Sequence, residues 1–205
     1  QLCQVDGRFD PETWILKKHI GSLLHVTGQE PIRLQKLASE TRLGIPILFG
    51  IDAIHGHAFQ SGATIFPSQL AMASSWNPVL LERAASVTAA EVILTGMHWT
   101  FSPVLCLARD LRWGRVDETF GEDPYLTGIL AAAMIRGYQG KELSDPYSIL
   151  ACAKHFAAYG ETQGGRDSAE ADVSERKLRS IFLPPFKEAL DAGCATFMAG
   201  YNAID

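Results

Sequence analysis

Five short apolar runs, separated by longer segments of helical character, constrain the fold of this chain more than any other feature. They are IGSLLHV (residues 20–26), IPILFGID (45–52), MHWTFSPVLCL (97–107), SILACAKHF (148–156) and CATFMAGY (194–201). Each is bounded by Gly, Pro or polar residues and is apolar on both faces of a pleat. That is the signature of a parallel strand covered on both sides. Helical patterns fill the intervals at 31–41, 78–94, 124–138 and 174–192. Asn77 followed by Pro78, and Asp123 followed by Pro124, are helix N-terminus signals, and Gly140 is a stop signal. Pro184 and Pro185 fall inside the last helical stretch and predict a break there.

Strand and helix in alternation predict parallel strands joined by right-handed crossovers, an α/β fold. No GxGxxG fingerprint follows the first strands, which argues against a dinucleotide-binding sheet. A TIM-type (β/α)8 barrel fits the pattern, and eight repeats take about 250 residues. The 205 residues, with five strands counted, therefore predict a partial barrel of about five of eight repeats. A content of 47% hydrophobic and 20% charged residues is enough for a substantial core. The net charge of -5, with no Lys/Arg cluster among aromatics, excludes the electrostatic footprint of a nucleic-acid binder. No apolar run approaches the ~18–20 residues of a membrane span, and residues 1–10 carry no signal-peptide pattern. Cys3, Cys106, Cys152 and Cys194 form no CxxC pair and are expected as reduced thiols.

In such barrels chemistry sits where strands end. Asp52, His55 and His57 follow the second run, and Arg109, Asp110, Arg112, Arg115, Glu118 and Asp123 follow the third. Lys154 and His155 close the fourth, and Tyr201 and Asn202 the fifth. A carboxylate accepts from two adjacent hydroxyls while Lys, Arg and His donate to their oxygens, so the set suits a polyhydroxyl ligand. The carboxylate disfavours a phosphate. Trp113, Tyr159 and Phe156 are candidates for an apolar platform under a sugar ring. A competing reading makes His55, His57 and His155 ligands of a hydrolytic metal. Alternatively, His55 and His57 are a turn histidine and a packed one.

The stretches GIDAIHGH, GATIFPSQLAMASSWNP, RDLRWGRVDETFGEDPYL, AKHFAAYGETQGG and FMAGYNAID resemble glycoside hydrolase family three in order and spacing. The likeness is strongest to its bacterial β-glucosidase branch. It implies a retaining, exo-acting hydrolase of terminal non-reducing β-D-glucosyl or β-xylosyl residues, with a β-glucoside or oligosaccharide as substrate and no cofactor. By motif position, Asp52, Arg115, Lys154 and His155 would bind the terminal sugar, and Tyr201 would lie beside the nucleophile. Arg109 and Glu118 would brace the loop. Leu111 stands where the family usually has Pro, and Gly200 where Ser is common. The His-Asp dyad that some N-acetylglucosaminidases of the family carry after KHF has no counterpart, because no histidine follows His155.

Retaining hydrolysis needs two carboxyl groups about 5–5.5 Å apart. The resemblance places the nucleophile in a Ser-Asp-Trp-like motif and the acid/base in a later domain, both expected beyond residue 205. Residues 1–205 are accordingly expected to be an incomplete N-terminal barrel domain, without the α/β sandwich that follows in the family. A non-catalytic sugar-binding derivative is the remaining alternative. The resemblance also implies a periplasmic or secreted protein.

Overall fold

The structure, a computed structural model, describes residues 4–205, so Cys3 lies outside the described residues. Among the described residues the six strands are β1 (Gln4–Asp6), β2 (Ser22–Leu24), β3 (Leu48–Ile51), β4 (Trp99–Thr100), β5 (Cys152–Phe156) and β6 (Thr196–Ala199). They pair in parallel in the order β1-β2-β3-β4 and β5-β6. Parallel bridges from Trp99 to Leu150 and from Val104 to Lys154 join the two groups. The result is the partial α/β barrel expected. It holds one strand more than the five counted, because β1 and the helix after it precede the first long apolar run. With three residues, β1 is too short to show a period.

Five of the helices are α1 (Pro11–Lys18), α2 (Glu30–Ser39), α3 (Gln69–Ala73), α4 (Pro78–Leu94) and α5 (Pro124–Gln139). The polar caps act as the sequence predicts. Asn77 Oδ1 accepts from Leu80 N at 3.1 Å, and Asp123 Oδ1 accepts from Leu126 N at 2.7 Å. Each satisfies an amide that the first helical turn leaves free. The stretch 174–192 is broken as expected, into α6 (Glu175–Lys177), a π turn (Leu178–Phe182) and α7 (Pro184–Asp191). Pro184 and Pro185 have no N–H to continue the ladder, so the helix restarts with Pro184 at its first position. Helix α5 packs against α4 on one side and α7 on the other. Gly137 permits the first contact, since a Cβ there would lie 2.3 Å from the Glu82 carbonyl oxygen.

Three glutamines tie helices to strands. Gln35 accepts from Ile47 N at 2.8 Å and Gln69 accepts from Val104 N at 3.0 Å. Gln69 also donates to Val104 O at 3.1 Å. Gln139 accepts from Ala195 N at 2.9 Å and from Ala151 N at 3.3 Å. Each amide occupies backbone groups at points where the strand ladder is interrupted. The third run shows why this is needed. Its ladder covers only Trp99–Thr100, and Pro103 has no N–H to extend it. Gln69 then holds Val104, and through it the segment leading to Cys106.

The main core lines the sheet and helices, from Ile15 and Leu23 to Ala153 and Phe186. A smaller cluster of Val104, Cys106, Trp113 and Tyr159 lies beneath the loops after β4 and β5. Cys106, Cys152 and Cys194 are free and buried, as the sequence predicts.

Candidate sugar-binding site

Because the strands are parallel, the residues that follow them share one end of the barrel. Asp52 directly follows β3, and its Oδ1 accepts from Lys154 Nζ at 2.8 Å. The Lys154 side chain is 4% exposed and that of Asp52 33%, so the pair is open only on the carboxylate side. Asp52 Oδ2 lies 3.3 Å from His25 Nε2. Burial raises the Asp52 carboxyl, but the charge and hydrogen bond of Lys154, with help from His25, outweigh it and hold Asp52 below the usual carboxylate range. Asp52 therefore stays ionised and accepts hydrogen bonds only.

Lys154 and His155 are both buried although they are adjacent on a strand. A strand should send them to opposite faces. The register with β6 shifts here: Lys154 pairs with Met198 and Phe156 with Ala199, so His155 is the extra residue of a bulge. A bulge re-aims a side chain, and this one lets consecutive residues both serve the site. Burial, then the charges of Arg115 and Lys154, push the His155 imidazole down to about 3. It is neutral at ordinary pH, with one nitrogen to donate and one to accept.

Tyr159 is the hub of the other half. Its ring meets His155 edge-on at 5.1 Å, Trp113 at 5.3 Å and Tyr201 at 6.3 Å. The Arg115 guanidinium sits 5.7 Å from its centroid. Arg115 is held by both Glu118 oxygens, at 2.7 and 2.8 Å, and Arg109 lies 3.5 Å from Glu161. Glu118 thus fixes the arginine within its own loop. Gly160 allows the loop to close, because a Cβ there would lie 2.0 Å from the Leu107 carbonyl oxygen. The structure brings Asp52, Lys154 and His155 together and sets Arg115 behind the Tyr159 ring. Tyr201 stands at the edge, 80% exposed, in a turn tied to β5 by Gly200 N to Phe156 O at 2.8 Å.

Two expectations are corrected. Trp113 and Tyr159 are 2% and 0% exposed, so neither ring is an open platform. Asp167 Oδ1 pins the Trp113 indole N–H at 3.0 Å, and the two rings pack on each other instead. Phe156 is exposed, but its ring turns to Phe186 of α7 at 5.1 Å. The three metal-ligand candidates do not converge either. His55 Nδ1 contacts Phe66 O at 2.9 Å, His57 Nε2 contacts Thr95 Oγ1 at 3.1 Å, and His155 Nδ1 faces Cys106. Among the described residues no three His, Cys, Asp or Glu side chains are placed to hold a metal ion.

His25 was missed by sequence reasoning. It directly follows β2, as Asp52 follows β3, so the strand-end rule applies to it equally. Its φ of 59° lies in the left-handed region, unusual for a non-glycine residue. The ring lies between Asp52 and Asp6 and tilts against Phe59 at 5.6 Å. No described helix is long and apolar enough to cross a membrane.

Residues 1–205 match the family described as Glycosyl hydrolase family 3 N terminal domain. A periplasmic beta-glucosidase of Salmonella typhimurium is 36% identical over 188 residues, which are 91% of this chain and 24% of that protein. A beta-xylosidase of Formosa agariphila is 39% identical over 176 residues, 82% of this chain and 24% of that one. Among solved structures, a beta-glucosidase involved in saponin metabolism from intestinal bacteria superposes with a TM-score of 0.95 at 56% identity. That match covers 98% of this chain and 27% of the other. A beta-glucosidase from Listeria innocua in complex with glucose gives a TM-score of 0.89 at 35% identity, over 98% of this chain and 30% of that one. The chain spans about a quarter of the length of these relatives.

Proposed function

The chain belongs to glycosyl hydrolase family 3, and from that premise we propose that it carries part of the first-sugar site of a retaining, exo-acting β-glucosidase or β-xylosidase. The observation that carries this reading is the Asp52–Lys154 pair, buried on the lysine side and open on the carboxylate side. Vicinal hydroxyls of a terminal sugar donate to Asp52, while Lys154 and His155 donate to their oxygens. Arg115 and Tyr201 complete the rim from the loops after β4 and β6. The relative from Listeria innocua is described in complex with glucose and with laminaribiose, ligands of the expected class.

Acceleration comes from hydrogen bonds that tighten as the ring flattens toward an oxocarbenium ion, not from binding alone. We assign the nucleophile and the acid/base to parts of the whole protein outside these residues, including a later α/β sandwich domain. The relatives' greater length supports that division. The test is Asp52→Ala in the full-length protein with an aryl β-glucoside and an aryl β-xyloside. The variant should lose most of its kcat/KM on whichever sugar the parent hydrolyses. An unchanged value would sink the role of Asp52.

A further inference from the structure

Cys106 lies directly beneath the site, on the segment that follows β4. Its Sγ accepts from the backbone N–H of His155 at 3.3 Å and lies 3.4 Å from Nδ1 of the same residue. Both side chains are buried. The backbone locks the two segments together, with Lys154 N donating to Pro103 O at 3.0 Å and Leu105 N to Lys154 O at 2.5 Å. Cys106 therefore grips His155 at two points, one on the main chain and one on the ring.

The protonation states follow from this enclosure. Burial pushes the Cys106 thiol up to about 12, so it keeps its proton. The neutral imidazole has one N–H to place. The sulfur already accepts from the His155 amide, and Nδ1 is the His155 ring nitrogen within hydrogen-bond reach of it. With the thiol as donor to Nδ1, the imidazole hydrogen sits on Nε2, the nitrogen turned away from the sulfur.

We propose that Cys106 is a positioning residue for the sugar site: its thiol fixes the orientation and tautomer of His155, so that Nε2 donates to a sugar hydroxyl. This rests on reading His155 as a sugar ligand. The cysteine itself touches no substrate and undergoes no redox or nucleophilic step.

The test uses the full-length enzyme and whichever of p-nitrophenyl β-D-glucopyranoside and p-nitrophenyl β-D-xylopyranoside it hydrolyses. His155→Ala comes first: if it leaves kcat/KM unchanged, the sugar-ligand reading and the role of Cys106 both fall. If His155→Ala lowers kcat/KM, Cys106→Ala should lower it about tenfold, the value of a hydrogen bond to a buried group. Cys106→Ser, which keeps a donor and an acceptor, should recover to within about threefold of the parent. In the His155→Ala background, Cys106→Ala should cost nothing further. A full-sized loss in that background, or no recovery with serine, overturns the role of Cys106 while leaving the sugar site intact. A measurement independent of variant folding is the ¹⁵N spectrum of histidine-labelled parent enzyme. The His155 ring should show a protonated Nε2 and a bare Nδ1, and the reverse pattern refutes the proposal.

Discussion

Lys154 Nζ and Asp52 Oδ1 meet at 2.8 Å although 102 residues separate them in the chain. The contact joins the middle of β5 to the residue that follows β3. It neutralises a buried ammonium and leaves one face of the carboxylate to solvent. Each of the following predictions concerns the whole protein.

Asp52→Asn keeps the size of the side chain but removes its charge, stranding the Lys154 ammonium. Breaking a buried pair from one side costs about 3–5 kcal/mol. Thermal unfolding should therefore shift downward together with kcat/KM. Restoring a neutral partner in Asp52→Asn/Lys154→Met should recover stability but not turnover. Recovery of both would remove the pair from the site.

His155 links stability to pH. Its folded-state value is depressed to about 3, below the ordinary 6.5, so the unfolded chain binds more protons between those values. Its contribution is complete above the unfolded value and is lost as pH falls from about 6.5 toward 3, by at most about 1.4 kcal/mol per pH unit. The gap between the denaturant midpoints at pH 7 and pH 4 should be smaller for His155→Gln than for the parent. Equal gaps in the two proteins would refute the buried neutral imidazole.

His25 is expected to steady Asp52. Asparagine tolerates the left-handed backbone at this position better than most residues but does not reproduce the imidazole contact. His25→Asn should leave the melting temperature within a few degrees and lower kcat/KM severalfold, in keeping with loss of about 1 kcal/mol. A melting temperature that falls while turnover holds would assign His25 to structure alone.

Two glycines in the loop after β5 should respond differently. Gly160→Ala forces a methyl group to 2.0 Å from the Leu107 carbonyl, so backbone must move. The cost is about 1–3 kcal/mol or more, with loss of sugar binding as Tyr159 shifts. Gly164→Ala meets nothing within 4 Å, and its strain comes only from a φ of 65°. It should cost about 1 kcal/mol and spare turnover. Equal effects on activity would argue against Gly160 as the seat of Tyr159.

Exhaustive dialysis against a chelator should leave hydrolysis unchanged, because His55 and His57 are engaged with Phe66 and Thr95 rather than with each other. A loss that zinc restores would reopen the metal reading.

Much of the fold was legible in the sequence. Pro78 after Asn77 and Pro124 after Asp123 start helices where predicted, because a cap is a contact across three residues. The prolines of α7 break the helix where predicted, because a missing N–H is a property of one residue. The proximity of Asp52 to Lys154 and His155 was legible because parallel strands bring all their C-terminal ends to one rim. Other features left no local trace. β1 is too short to show a period, and His25 lay inside an apolar run. The Trp113 and Tyr159 rings read as exposed aromatics until Asp167 and the closure at Gly160 buried them.

The sequence alone thus determined the kind and order of the longer elements and the family. Periods, caps and long motifs are encoded within a few neighbouring residues. Only the tertiary structure decided which strand-end residues touch. The 2.8 Å between Asp52 and Lys154, and the grip of Cys106 on His155, depend on inter-strand register and on the bulge at His155. Those follow from packing across about half the chain, where a one-residue slip would turn every side chain to the opposite face.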